Sequence, residues 1–207
     1  LVGIPVMWGM RSSHMDLSLY NDWFIKLIFK MGRFLSPFAD RIIVNSHAGK
    51  NYYRSEGYCA RRMVIVPNGI DTAQFYRDFA EGRMLRQRWG VKDGQSLIGL
   101  VARIDPVKDL ATFLRAASLL AATREDARFV CVGDGQGEYA AEMRKLADHL
   151  ALSDRLLWTG GLDEMRAVYS ALDLATSSSR GEGFPNAVAE AMACETPCVV
   201  TDVGDSG

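Results

Sequence analysis

At 207 residues the chain is long enough for one large domain or two small ones, and its 48% hydrophobic, 10% aromatic and 24% charged residues exclude a disordered or fibrous protein. Twenty-four basic against twenty-five acidic side chains give a net charge of −1. That balance lacks the basic excess of a protein that neutralises many phosphates, so nucleic acid is not an expected partner. The charge is uneven, however: residues 1–71 hold nine basic and five acidic side chains, residues 72–207 fifteen and twenty.

In chain order, the first third predicts a strand over Ile4 to Trp8, a helix from near Asp22 to Leu35, a strand at Ile42–Val44, a helix from Ala48 to Gly57 and a strand at Met63–Val66. Pro67-Asn68-Gly69 is a strong turn signal that opens an irregular stretch to about Phe79. From Ser96 onward short apolar runs alternate with helix-period segments. Strand Leu97–Ala102 is followed by helix Leu110–Ala122, strand Phe129–Val132 by a helix of about fifteen residues ending at Leu150, and strand Leu156–Trp158 by helix Asp163–Tyr169. Strand Leu172–Ala175, helix Pro185–Cys194 and strand Cys198–Val200 complete the pattern. Strands alternating with helices at this spacing mean α/β architecture, a doubly wound parallel sheet covered on both faces. The boundary between two units is expected at the turn, giving domains 1–71 and 72–207.

Four cysteines form no C-x-x-C pair and have no nearby His cluster, so they read as reduced thiols and no metal site is expected. No stretch approaches the ~18 apolar residues of a spanning helix, and no signal-peptide pattern opens the chain; a cytoplasmic location is the expectation. Leu1 at one end, and a glycine-rich turn over Thr201 to Gly207 at the other, suggest a piece of a longer protein.

Three segments carry candidate chemistry. In Glu182-Gly183-Phe184-Pro185-Asn186-Ala187-Val188-Ala189-Glu190, Pro185 suits the first position of a helix and the glycine lets backbone approach a ligand. The unbonded amides near Asn186 and Ala187 then form an anion site at the carboxyl end of the sheet. In Val101-Ala102-Arg103 through Lys108, a guanidinium directly follows a strand and an ammonium follows it near a helix start, a pair suited to clamping a diphosphate. No Asp-x-Asp occurs, which favours charge neutralisation by side chains over a divalent ion. Val132-Gly133-Asp134-Gly135-Gln136-Gly137 is only a weak dinucleotide fingerprint, G-x-G-x-G in place of G-x-G-x-x-G, and reads better as a tight strand-to-helix turn, as does Gly160-Gly161.

These segments resemble, in register, the landmarks of retaining GT-B glycosyltransferases of family 4. The landmarks are Val44-Asn45-Ser46, Val66-Pro67-Asn68-Gly69-Ile70-Asp71 with Phe75, Val101-Ala102-Arg103 with Lys108, Val132-Gly133-Asp134-Gly135, Ser177-Ser178-Ser179 running into Glu182–Asn186 and Glu190–Ala193, and Thr201-Asp202-Val203-Gly204. The resemblance implies two Rossmann-like domains, both incomplete here, with residues 1–71 on the acceptor side and 72–207 binding the donor. It implies transfer from a UDP-, GDP- or ADP-sugar to a saccharide or lipid-linked acceptor, as in polysaccharide biosynthesis, with no further cofactor. By similarity Arg103 and Lys108 hold the diphosphate, Glu190 the ribose hydroxyls, and Glu182 with Gly183, Phe184, Pro185, Asn186 and Ala187 the donor sugar and distal phosphate. Glu182 is the catalytic-site carboxylate of this reading, acting as an orienting group.

Other readings meet obstacles. A nicotinamide-dependent oxidoreductase needs a complete glycine fingerprint and an acid at the end of the next strand, and neither is present. A non-catalytic nucleotide-sugar-binding module, or a fragment inactive alone, is the alternative; sugar phosphorolysis is more distant. Trp23–Leu35 reads as a basic amphipathic helix with Lys26, Lys30 and Arg33 on one face, suited to the inner face of an anionic membrane or to packing within its own domain. Trp8 to His14 is placed at the acceptor cleft, with no general base assigned.

Overall fold

A computed structural model describes residues 3–11 and 23–206. Ser12, Ser13 and His14, named above for an acceptor cleft, and Asp22 at the expected start of the first helix lie outside the described residues.

The chain divides into two units, one of residues 1–69, 181–185 and 202–207, the other of 70–180 and 186–201. In the first, β1 (Met7–Met10), β2 (Arg41–Val44) and β3 (Met63–Ile65) form a parallel sheet in that order. Helices α1 (Trp23–Leu35) and α2 (His47–Ser55) accompany it. Its core gathers Ile42, Val44, Tyr53, Tyr58 and Met63, with Phe29 of α1 packed edge-on against Tyr58. Ser46 caps α2 by accepting the Gly49 amide at 2.9 Å. The Asp205 carboxylate accepts the first two amides of that helix, His47 at 2.6 Å and Ala48 at 2.8 Å, which draws residues 202–207 into this unit. The sequence reading had placed 181–185 and 202–207 with the other domain; the Gly183 carbonyl, which accepts the Asp205 amide at 3.3 Å, ties the two segments together.

The second unit contains α3 (Phe79–Arg88), β4 (Ser96–Val101), α4 (Leu110–Ala121), β5 (Ala127–Val132), α5 (Glu138–His149), β6 (Leu156–Gly160), α6 (Met165–Ala171), β7 (Leu174–Ser177), α7 (Asn186–Ala193) and β8 (Cys198–Val200). Its sheet is parallel throughout, in the order β6-β5-β4-β7-β8. Strand alternation serves both faces: Ile98, Leu100, Phe129 and Cys131 enter one core with α4 and α5, while Leu97, Val130 and Val132 enter the other with α6 and α7. Because β4 lies between β5 and β7, the order reverses there, and the carboxyl ends of β4 and β7 flank the switch point where such sheets bind ligands.

The expected elements are present with shifted ends. The first strand runs over Met7–Met10, later than Ile4–Trp8, and β7 begins at Leu174, two residues past Leu172, whose amide closes α6 on the Tyr169 carbonyl at 3.1 Å. Helix α3 lies in a stretch where no element was predicted. It is rich in Arg, with Glu81 as its one acid, and buries only Gly82 and Leu85, so it shows little apolar periodicity; its one sequence signal is Asp78, which accepts the Ala80 and Glu81 amides.

Candidate functional site

The loops that leave β4, β5 and β6 continue the sheet as a tightly bonded layer. Ala102 donates to the Val132 carbonyl at 3.0 Å, Gly133 to Gly160 at 2.9 Å, and Ile104 to Asp134 at 2.9 Å. The Asp134 carboxylate accepts the Gly161 amide at 2.7 Å, and a Cβ on Gly161 would lie 2.4 Å from that carboxylate. Gly133 lets the Ala102 backbone come close and Gly161 makes room for the Asp134 carboxylate, in keeping with the tight-turn reading of the sequence.

Arg103 stands on this layer, directly past β4. Its side chain is exposed and forms no hydrogen bond or ion pair among the described residues. Lys108 ends a short 3-10 turn, Pro106–Lys108, that Asp105 caps by accepting the Val107 amide at 2.9 Å. The loop after β7 fixes this turn: Arg180 donates its amide to the Val107 carbonyl at 2.8 Å, and the Ser178 hydroxyl lies 3.0 Å from the Lys108 carbonyl and 2.9 Å from that of Asp109. Both cations therefore lie on loops of the switch point, and Ser178 and Arg180, which the sequence reading did not single out for a role, hold the backbone of the second.

Asp109 makes the connection electrostatic. It sits at φ 44°, and its buried carboxylate accepts from Arg180 Nε at 2.9 Å and from the Thr112 hydroxyl at 2.9 Å. Burial alone would raise its pKa, but the Arg180 and Thr112 donors outweigh it and hold the carboxyl below its ordinary value. A depressed carboxylate stabilises the fold above its unfolded pKa and loses that contribution as pH falls through the folded one. Asp109→Asn tolerates the left-handed backbone but drops the charge. It is expected to cost ~1–2 kcal/mol at neutral pH and to flatten the loss of stability below about pH 4, read from urea melts across that range.

Helix α7 begins at Asn186, one residue past the expected Pro185, which is buried just ahead of it. Asn186 is exposed and Ala187 half-buried at its amino end. Farther along, Glu190 is half-buried, and its Oε2 accepts the Tyr169 hydroxyl at 2.7 Å while Oε1 takes no hydrogen bond among the described residues. Tyr169 is 1% exposed; burial first, then Glu190, pushes its phenol well above the usual range. No sequence signal marked Tyr169, because the pair forms only where α6 and α7 pack together.

Glu182, Gly183 and Phe184 belong to the first unit, where all three are half-buried. A Cβ on Gly183 would lie 2.9 Å from the Arg11 carbonyl and 3.1 Å from Asn45 Oδ1, and one on Gly204, at φ 63°, 2.0 Å from the Glu182 carbonyl. The Glu182 backbone is thus held from its carbonyl side. Asn45 is 7% exposed, and its Oδ1 has no hydrogen-bond partner among the described residues.

The profile described as Glycosyl transferases group 1 matches residues 95–207, and that of Glycosyltransferase Family 4 matches residues 3–74. A 2-deoxystreptamine glucosyltransferase of Streptomyces kanamyceticus is 33% identical over 151 residues, covering 72% of this chain and 38% of that protein. The Escherichia coli UDP-Gal:alpha-D-GlcNAc-diphosphoundecaprenol alpha-1,3-galactosyltransferase is 27% identical over 183 residues, 86% of this chain and 47% of that one. Among solved structures, Anabaena HepE in complex with UDP-glucose superposes with a TM-score of 0.83 at 25% identity, over 97% of this chain and 54% of that chain. The chain thus spans about half the length of these relatives, or less. With both profiles in order along it and its parallel sheets of GT-B type, the chain belongs to the group 1, family 4 glycosyl transferases.

Proposed function

We propose that the chain forms the donor-binding part, and some of the acceptor-side part, of a retaining glycosyltransferase. The whole enzyme moves a sugar from a nucleotide-diphosphate donor to a saccharide or lipid-linked acceptor without a metal ion. The observation that carries this reading is Arg103: an exposed guanidinium with no carboxylate partner among the described residues, at the switch point of a doubly wound sheet, with Lys108 on the same loop. A relative whose solved structure holds UDP-glucose supports the donor class.

Breaking a glycosyl–phosphate bond leaves charge on the diphosphate. Preorganised cations and the amides at the start of α7 stabilise that charge most where it is greatest, in the transition state. Arg103 and Lys108 take the place a divalent cation fills elsewhere. Glu190 offers Oε1 to the ribose hydroxyls while Tyr169 fixes Oε2. Glu182, with Gly183, Phe184 and Pro185 on the segment leading into α7, orients the donor sugar. Thermal melts with UDP, GDP and ADP in the presence of EDTA test donor binding. Saturation of roughly a hundredfold over Kd is worth ~2.7 kcal/mol, and at least one nucleotide is expected to raise the melting temperature by several degrees. No shift with any of them defeats the donor site, and a shift only with magnesium defeats metal independence. An inverted anomeric configuration in the transfer product, read by NMR, defeats retention.

A second reading concerns α1, and we infer that this helix lies on an anionic membrane at its cytoplasmic face. Only the stripe of Ile25, Phe29 and Gly32 is sheltered, whereas Trp23 is 72%, Ile28 54% and Phe34 76% exposed. The side turned away from the protein is therefore apolar and carries Lys26 and Lys30 along its edge, the reverse of an ordinary surface helix. Vesicle sedimentation of a Trp23→Ser/Phe34→Ser variant tests this contact: binding is expected to fall, and unchanged binding overturns it.

A further inference from the structure

At the amino ends of β2 and β3 in the first unit's sheet, an open cavity of about 290 Å³ is lined by Pro37, Arg41, Cys59, Arg61 and Arg62. Three of its five lining residues are arginines. Arg41 donates to the Asp40 carbonyl at 2.8 Å, while the neighbouring Asp40 carboxylate accepts the Val6 amide at 2.8 Å. None of the three guanidiniums forms an ion pair with a described carboxylate. Three uncompensated cations around one concavity repel each other, and an anion that accepts bidentate hydrogen bonds relieves that repulsion. A phosphate group has the charge and the oxygen geometry to do so.

The cavity borders the turn that follows α1. The chain leaves that helix through a 3-10 turn, Ser36–Phe38, whose middle residue Pro37 lines the cavity. Ser36 is fully buried; its hydroxyl donates to the Arg33 carbonyl at 2.7 Å and accepts the amide of Cys59, another lining residue, at 2.9 Å. The end of the helix and the wall of the cavity are thus pinned together. Phe34 and Phe38 flank this junction, each 76% exposed. Apolar side chains next to an uncompensated cationic concavity match the two layers of a membrane surface, acyl chains and phosphate.

We propose that the Arg41, Arg61 and Arg62 cavity holds the phosphate of an anionic lipid headgroup while the outer face of α1 lies among the acyl chains. This rests on the membrane reading of α1 and adds to it a defined headgroup site. The test is sedimentation with vesicles of phosphatidylcholine alone and of an equimolar mixture with phosphatidylglycerol. The protein is expected to bind the mixed vesicles at least tenfold more tightly. Arg61→Gln/Arg62→Gln is expected to lose roughly tenfold or more on the mixed vesicles, at about one kilocalorie per basic residue near an anionic surface, and nothing on the neutral ones. Arg61 is exposed and Arg62 half-buried, and neither side chain is bonded to the fold, so the melting temperature is expected to hold. Arg41→Gln serves as the independent variant if the double one fails to fold.

Undiminished binding by the arginine variants, together with loss in Trp23→Ser/Phe34→Ser, overturns the cavity site and leaves the membrane contact standing. Failure of the unaltered protein to bind either vesicle overturns both. Undiminished binding by Arg61→Lys/Arg62→Lys, which keeps the charge without the bidentate fork, reduces the effect to diffuse charge and overturns the cavity. Arginine-dependent stabilisation by inorganic phosphate, without preference for anionic vesicles, overturns the lipid source.

Discussion

Replacing Gly133 with alanine is expected to remove at least ~4 kcal/mol of stability, a large share of the roughly 5–15 kcal/mol that holds an ordinary domain. Gly133 stands at φ 146°, and a Cβ there would lie 2.0 Å from the Ala102 carbonyl oxygen and 2.7 Å from its carbon. Both neighbours are backbone, so no flexible side chain can swing aside. The Gly133 amide is committed to the Gly160 carbonyl at 2.9 Å and the Ala102 amide to Val132 at 3.0 Å. Making room means parting the loops past β4, β5 and β6 together, which also moves Arg103. Gly137→Ala supplies the control: it too has positive φ, 82°, but nothing lies within 4 Å of the added carbon. That variant bears backbone strain alone, at a φ of 82° and ψ of −168° that essentially only glycine adopts, ~1–3 kcal/mol. Urea melts of the two separate close approach from strain, and equal losses would refute the packing argument.

How much of this the sequence could reveal depended on whether the deciding contact was local. The runs at Leu97–Ala102 and Phe129–Val132 are apolar because their strands are buried on both faces, and they were readable as strands for that reason. Arg103 and Lys108 were placed past β4 by chain order alone. Helix α3 was not readable, since it meets α6 through a glycine: a Cβ on Gly82 would lie 2.5 Å from the Ser170 carbonyl, and glycine contributes nothing to an apolar pattern. For α1 the helix was legible but not its buried face. The two possibilities weighed for it differ only in what covers Trp23, Ile28 and Phe34, and the shelter of Phe29 by Tyr52, Tyr53 and Tyr58 comes from residues more than twenty positions away. The same holds for Glu190 on Tyr169, 21 residues apart, and for Asp205 on the first turn of α2, 157 and 158 apart. Such pairs use common residue types with no spacing rule, so only the folded chain brings them into view.

Arg103→Ala is expected to weaken binding of the cognate nucleoside diphosphate by roughly ten- to a hundredfold, the equivalent of ~1.5–3 kcal/mol for hydrogen bonds to a charged group. Its effect on folding is expected to be nil, because the side chain is exposed and bonded to nothing among the described residues. This separates it from Asp109 and Tyr169, whose partners are protein groups and whose loss would register first as instability. Arg103→Lys keeps the charge but not the planar fork, and is expected to recover part of the affinity. If the guanidinium acts mainly on charge that builds as the glycosyl–phosphate bond breaks, kcat/KM in the complete enzyme falls further than the dissociation constant rises. Calorimetry with the diphosphate and steady-state kinetics with the sugar donor measure the two. Unchanged affinity in Arg103→Ala would remove the diphosphate from this loop, whereas equal losses in both measurements would leave Arg103 as a ground-state contact and shift the stabilisation of the leaving group to Lys108 and the amides of α7.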